Sequence, residues 1–219
     1  TGLIGSVASG SPRSYYDPTS LTYLGYLAEG ARTNLMLSSA DLRSAAAGNP
    51  ITAWTNTDTT VTVAGTTAPD GTATGNLLVE GSAGTASVSQ AVTHTANVAH
   101  AMYVFAKYGN HNWIKLQFGT TNRVGAWFNL STGVVGSVEN AGTGSGAASS
   151  IQAYPNGWYR LELRGNVGGV ITSTSFITNS ASADSSNTRV SGGTHYEWGA
   201  QFEDNVAFSS TYIPTTTLT

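Results

Sequence analysis

The sequence predicts an all-β protein: an antiparallel two-sheet jelly-roll sandwich with one short helix. Three observations point there. Apolar residues recur at spacing two over most of the chain and are Val, Ile, Tyr, Trp and Phe more often than helix-favouring Leu or Ala. Turn-forming and small polar residues interrupt them at short intervals, with 26 Gly, 25 Ser, 31 Thr and 15 Asn among 219 residues. Strand signals follow one another without helical segments between them, which argues against an α/β arrangement. The length suits a single domain over 1–219, with residues 1–20 as a lead segment.

Taken in order, Ser38 to Gly48 (SSADLRSAAAG) reads as the one short helix, with a serine cap, three alanines and a terminal glycine. Ala101 to Tyr108 is apolar on both faces, as a covered central strand would be. From Asn112 to Phe118, Ile114, Leu116 and Phe118 share one face and Trp113, Lys115 and Gln117 the other. Val124 to Leu130 repeats this, with Trp127 and Asn129 opposite the apolar set, and Ser131-Thr132-Gly133 turns the chain into Val134-Val135. Glu139 to Gly146 and Asn179 to Gly193 read as loops. Pro155-Asn156-Gly157 launches a strand in which Trp158, Arg160, Glu162 and Arg164 alternate with Tyr159, Leu161 and Leu163. Near the end, strict alternation groups Tyr196, Trp198, Ala200 and Phe202 against His195, Glu197, Gly199, Gln201 and Glu203.

Charge and composition exclude several functions. Nine basic against twelve acidic residues, spread over the length, build no positive stripe for a phosphate backbone, so nucleic acid is not expected as a partner. No segment approaches the ~18 apolar residues of a spanning helix, so membrane insertion is not expected. The absence of cysteine removes disulfides, thiol catalysis and thiolate metal sites together. His94, His100, His111 and His195 show no metal-ligand spacing, and Asp70 in Ala68-Pro69-Asp70-Gly71 reads as a turn aspartate whose calcium role no neighbouring carboxylate supports. No cofactor is expected.

The outward sets of these strands suggest a function. Placed together on one sheet, Trp113, Lys115, Gln117, Trp127, Asn129, Trp158, Arg160, Glu162, His195, Glu197 and Gln201 would form a carbohydrate-binding face. Sugar C–H faces pack on aromatic rings, and hydroxyls bond to amide, carboxylate and guanidinium groups. The competing expectation buries the tryptophans under loops or between subunits. Catalytic signals are weak. Arg160-Leu161-Glu162-Leu163-Arg164 resembles a strand motif of alginate lyases, but the companion strands that would carry their acid and base are missing. Glu197 and Glu203, on one face of a strand, would stand ~20 Å apart at ~3.3 Å per residue, too far for a glycosidase pair.

Seven separated segments bear a family likeness. Tyr26-Leu27-Ala28-Glu29-Gly30-Ala31-Arg32-Thr33-Asn34-Leu35 is similar to the L-L-I-E-G-x-R-T-N-L stretch of phage tail-fibre and head-spike proteins. Ala53-Trp54, Ala68-Pro69-Asp70-Gly71-Thr72, Ala126 to Gly133 (AWFNLSTG), Asn156-Gly157-Trp158-Tyr159-Arg160, Trp198-Gly199-Ala200-Gln201-Phe202-Glu203 and Thr211-Tyr212-Ile213-Pro214-Thr215 resemble its later signatures, in the same order. The resemblance implies a non-catalytic jelly roll like the concanavalin A-type lectins and carbohydrate-binding modules, exposed on the virion and attaching to host-surface glycans. Partners implied are those glycans, other virion proteins and a homo-oligomer, such as a trimer. Two alternatives stand beside it: a purely structural fibre or capsid-decoration domain, and a carbohydrate-binding module of a polysaccharide-degrading enzyme. The family's upstream F-T-R-A-S-x-A-T-Y strand would end just before Thr1, so Thr1 to Ser11 are expected to lean on a preceding or neighbouring segment. The family supplies no agreed sugar-contact residues.

Overall fold

A computed structural model describes residues 13–27, 31–48, 53–82, 86–169 and 174–215. The expectation for Thr1 to Ser11 and the Ala28–Gly30 part of the first motif lie outside them. Two six-stranded antiparallel sheets form a sandwich, as the alternation predicts. In spatial order the front sheet is β10 (Val134–Ala141), β9 (Arg123–Asn129), β8 (Trp113–Gly119), β13 (Thr174–Ala181), β6 (Ser87–Val92) and β3 (Trp54–Thr57). The back sheet is β11 (Ser145–Tyr154), β12 (Trp158–Asn166), β7 (His100–Tyr108), β14 (Thr194–Glu203), β5 (Gly75–Glu80) and β4 (Thr59–Thr66). A separate hairpin pairs β1 (Arg13–Tyr16) with β2 (Tyr23–Leu27).

The core between the sheets is built from the apolar parity of each strand. Ile114, Leu116 and Phe118 of β8 and Val124, Ala126 and Phe128 of β9 meet Met102, Val104 and Ala106 of β7, Leu161 and Leu163 of β12, and Ala200 and Phe202 of β14. Each fully buried Val, Leu, Ile, Phe or Met side chain among them contributes roughly 1.5–3 kcal/mol. A second apolar cluster, Ala68, Tyr103, Phe105, Trp158 and Trp198, lies on the far side of the back sheet. β7 therefore is apolar on both faces because both faces are covered.

Three local expectations need correction. The helix from Ser38 to Gly48 shrinks to one 3-10 turn, Ala45–Ala47, closed by Gly48 at φ 93°. Residues 34–44 instead cross the sandwich in irregular form, with Met36 and Leu42 in the core. Side chains satisfy their backbone where a helix would have done so internally. Gln90 bonds both the N–H and C=O of Leu37, Asn56 those of Ser44 and Leu42, and Trp54 donates to the Ser38 carbonyl. The loop expected from Glu139 to Gly146 is largely strand, since β10 runs to Ala141 and β11 begins at Ser145. The alternation of β14 breaks at Gly199, where a bulge at φ 68° shifts the register on β7. Trp198 and Gln201 face outward, while His195, Glu197, Ala200 and Phe202 face the core.

Candidate functional site

The eleven predicted binding residues do not share a face. Trp113, Lys115, Gln117, Trp127 and Asn129 lie on the outer side of the front sheet. Trp158, Arg160, Glu162 and Gln201 lie on the outer side of the back sheet, across the sandwich. His195 and Glu197 are buried between the sheets. Parity along one strand places a residue on a side but not in a sheet, and the Gly199 bulge inverted the end of β14.

The back-sheet group holds the chain's own C-terminal segment. Gln201 Oε1 accepts from Tyr103 Oη at 3.0 Å and Ile213 N at 2.7 Å, and its Nε2 donates to Ser210 Oγ, the Thr211 carbonyl and Glu203. Arg160 stacks over the Tyr103 ring, 4.0 Å from its centroid, and donates to the Ser210 carbonyl and Ser209 Oγ. Glu162 accepts from Ser209 Oγ at 2.8 Å. Trp158 and Trp198 are sealed beneath the 66–74 turn, donating to the Thr67 carbonyl and Thr74 Oγ1. Tyr212 packs on Trp198 with centroids 4.6 Å apart, and burial pushes its hydroxyl up to about 12. Asn34 completes the lock, donating to the carbonyls of Ala200 and Ile213 and accepting from Met36 N and Phe202 N. Segments around Asn34, Trp158, Trp198 and Tyr212, four of the seven family-like motifs, thus meet in one knot whose work is structural.

On the front sheet the 182–192 loop folds over Trp127 and Lys115. Trp127 Nε1 donates to the Ser186 carbonyl at 2.7 Å. Lys115, 2% exposed, lies 4.4 Å from the Trp127 ring centroid and donates to Glu139 at 2.6 Å and Asn187 at 3.1 Å. Burial alone would raise the Glu139 carboxyl, but hydrogen bonds from Arg123 and Lys115 outweigh it and hold the group low. Gln117 spends its amide on the Gly119 carbonyl, and Asn129 Oδ1 caps the Ser131 and Thr132 N–H groups of the turn.

Trp113 is different. The other four tryptophans are between 1% and 4% exposed, whereas Trp113 is half-buried. Its ring rests against Gly136, where an added Cβ would sit 2.6 Å from the indole and also strike Asp184. Asp184, exposed on the loop, accepts from Ser137 N at 2.7 Å and Ser137 Oγ at 3.0 Å. Exposed Val134 stands beyond Asn129 in the same cross-strand row as Trp113. A half-buried indole beside a carboxylate with spare lone pairs makes a compact patch suited to a sugar ring.

No family model matches the chain, and no curated protein matches it. Among solved structures it is similar to the enzymatically active domain of bacteriophage CBA120 tailspike protein 4, at 13% identity and TM-score 0.43, covering 77% of this chain and 21% of that one. It is also similar to the CBM22-1 xylan-binding domain of Paenibacillus barcinonensis Xyn10C, at 12% identity and TM-score 0.48, covering 80% and 97%. A third is the CBM22-1–GH10 portion of Clostridium thermocellum Xyn10B, at 12% identity and TM-score 0.41, covering 78% and 28%. The chain spans about a fifth of the tailspike chain. The likeness concerns the fold alone.

Two buried polar groups were not foreseen from the sequence. One joins Glu80, Ser180, His195 and Glu197: Ser180 Oγ donates to Glu80, and His195 lies 3.8 Å from Glu80 and 3.1 Å from Glu197 through its two ring nitrogens. Burial pushes the Glu80 carboxyl up to about 7, against the lowering influence of His195 and Arg189. The other brings His94 and His100 together with Asp204 at one end of the sandwich. Their spacing in sequence matches no metal motif, because the turn after β6 and the end of β14 make the meeting.

Proposed function

We propose that this chain is a non-catalytic adhesion domain of a larger virion surface protein, a tail fibre or head spike, that binds host-surface glycans outside the host cell. The observation that carries this reading is Trp113, the one tryptophan left accessible, bordered by the Asp184 carboxylate on the 182–192 loop. The virion setting is supported by the ordered series of family-like motifs. A single aromatic platform with a few polar partners gives weak monovalent affinity, which repeated copies on a fibre would multiply.

The test is a glycan array with plant xylan, alginate and bacterial surface polysaccharides, using the chain and its Trp113→Ala variant. Binding by the chain, lost in Trp113→Ala and retained in Lys107→Ala, supports the reading; xylan as the sole ligand points to an enzyme-associated module instead. No binding to any glycan overturns it.

One observation favours a purely structural role as the second reading. The β1–β2 hairpin leaves Tyr15, Tyr16, Leu21, Tyr23 and Leu24 each 38–55% exposed, a surface suited to contact with another protein. A solution mass that falls from trimer to monomer on Tyr16→Ser and Leu24→Ser, in a protein without glycan affinity, would favour it.

A further inference from the structure

We propose that His94, His100 and Asp204 form a divalent transition-metal site of the zinc type that clamps the turn after β6 to the end of β14. The donor atoms of the three residues all lie within 4.8 Å of one another. Two donors on one tetrahedral zinc, each at ~2.0–2.1 Å, stand about 3.3 Å apart. His100 Nδ1 and Asp204 Oδ1 already lie 3.0 Å apart. His100 is fully buried, and its Nε2 makes no hydrogen bond. A cation bound there would satisfy a buried nitrogen that the protein leaves without an acceptor or donor.

The surroundings orient the donors as metal sites require. His94 Nδ1 lies 3.0 Å from the Thr95 carbonyl oxygen; since that oxygen can only accept, Nδ1 carries the proton and Nε2 the lone pair. Asp204 Oδ2 is held by Thr95 N at 2.8 Å and Thr95 Oγ1 at 2.7 Å, which directs Oδ1 toward the histidines. One threonine therefore fixes two of the three ligands. Phe118 and Phe202 wall off His100, with ring centroids 5.9 and 5.5 Å away. Asp204 also lines a cavity of about 330 Å³ with Arg32, Thr33 and Glu203. Closing the trio from within 4.8 Å needs inward movement of about 1 Å. Two imidazoles and one carboxylate suit zinc, cobalt or nickel, and not calcium, which takes six to eight oxygens.

The metal-stripped chain, titrated calorimetrically with zinc chloride, is expected to bind one ion and gain thermal stability. Cobalt(II) is expected to give the visible absorption of a tetrahedral nitrogen–oxygen site. His94→Gln and Asp204→Asn should each weaken zinc binding at least tenfold while keeping the far-ultraviolet circular dichroism of the parent. Absence of one-to-one zinc binding by the parent, undiminished binding by a folded His94→Gln or Asp204→Asn chain, an octahedral cobalt spectrum or a preference for calcium would each overturn the proposal. The cobalt spectrum of the parent decides the matter even if a variant fails to fold.

Discussion

Replacing Asn34 by alanine removes four hydrogen bonds at once from a side chain only 5% exposed. Two carbonyls, of Ala200 and Ile213, lose donors at 3.0 and 2.9 Å, and two amides, of Met36 and Phe202, lose acceptors at 3.0 and 3.1 Å. At a net ~1 kcal/mol per bond the loss is about 4 kcal/mol, and water entering from the adjoining cavity lined by Thr33 and Leu35 lowers it toward ~2. For a chain of 219 residues, ~2–4 °C per kcal/mol translates this into a fall in Tm of roughly 4–16 °C. Asn34→Asp keeps both acceptors but turns a carboxylate toward two carbonyls, so it should cost at least as much above pH 5. Urea unfolding followed by tryptophan fluorescence measures both, because Trp198 sits in the same knot. A change below ~0.5 kcal/mol for Asn34→Ala would show that the C-terminal segment is not locked as described.

Further expectations concern the other sites. Glu80 has a folded pKa of about 7 against an ordinary 4.5, so the folded state takes up a proton that the unfolded state has released. Its contribution to stability is complete below pH 4.5 and lost as pH rises through 7, a decline of up to roughly 3 kcal/mol that denaturant titrations should find flattened in Glu80→Gln. Gly136→Ala forces a methyl group against the Trp113 ring and Asp184, and should abolish glycan binding with little change in Tm; unchanged affinity would remove Trp113 from the site. Asp184→Ala frees the loop from Ser137, and hydrogen exchange at 182–192 should quicken by tenfold or more while β8 and β9 remain protected. Equal exchange in parent and variant would show that Ser137 does not tether the loop.

The fold was readable because alternation is a local property. β8 and β9 sit within a residue of their expected bounds and β12 runs two residues past Arg164, each with its apolar parity in the core. What misled was information carried by other parts of the chain. The Ser38–Gly48 stretch has helical composition, but Gln90, Asn56 and Trp54 supply its backbone partners from the front sheet and hold it open. Gly199 reads as one more glycine, yet its left-handed backbone flips every later side chain of β14, which sends Phe202 inward and Gln201 outward. The predicted binding face divided because β8 and β12 fall in different sheets, a consequence of strand order that alternation does not encode. His94 and Asp204, far apart in the chain, likewise meet only through the topology.

Indole N–H signals of the five tryptophans in a proton–nitrogen correlation spectrum offer the most direct trial of glycan adhesion at Trp113. Trp54, Trp127, Trp158 and Trp198 all donate from Nε1 to internal acceptors and should not move. On titration with a glycan that the array identifies, the signal missing from Trp113→Phe is expected to shift progressively and saturate. Saturating shifts confined to Trp158 or Trp198, with Trp113 still, would place sugar on the opposite sheet and contradict the account.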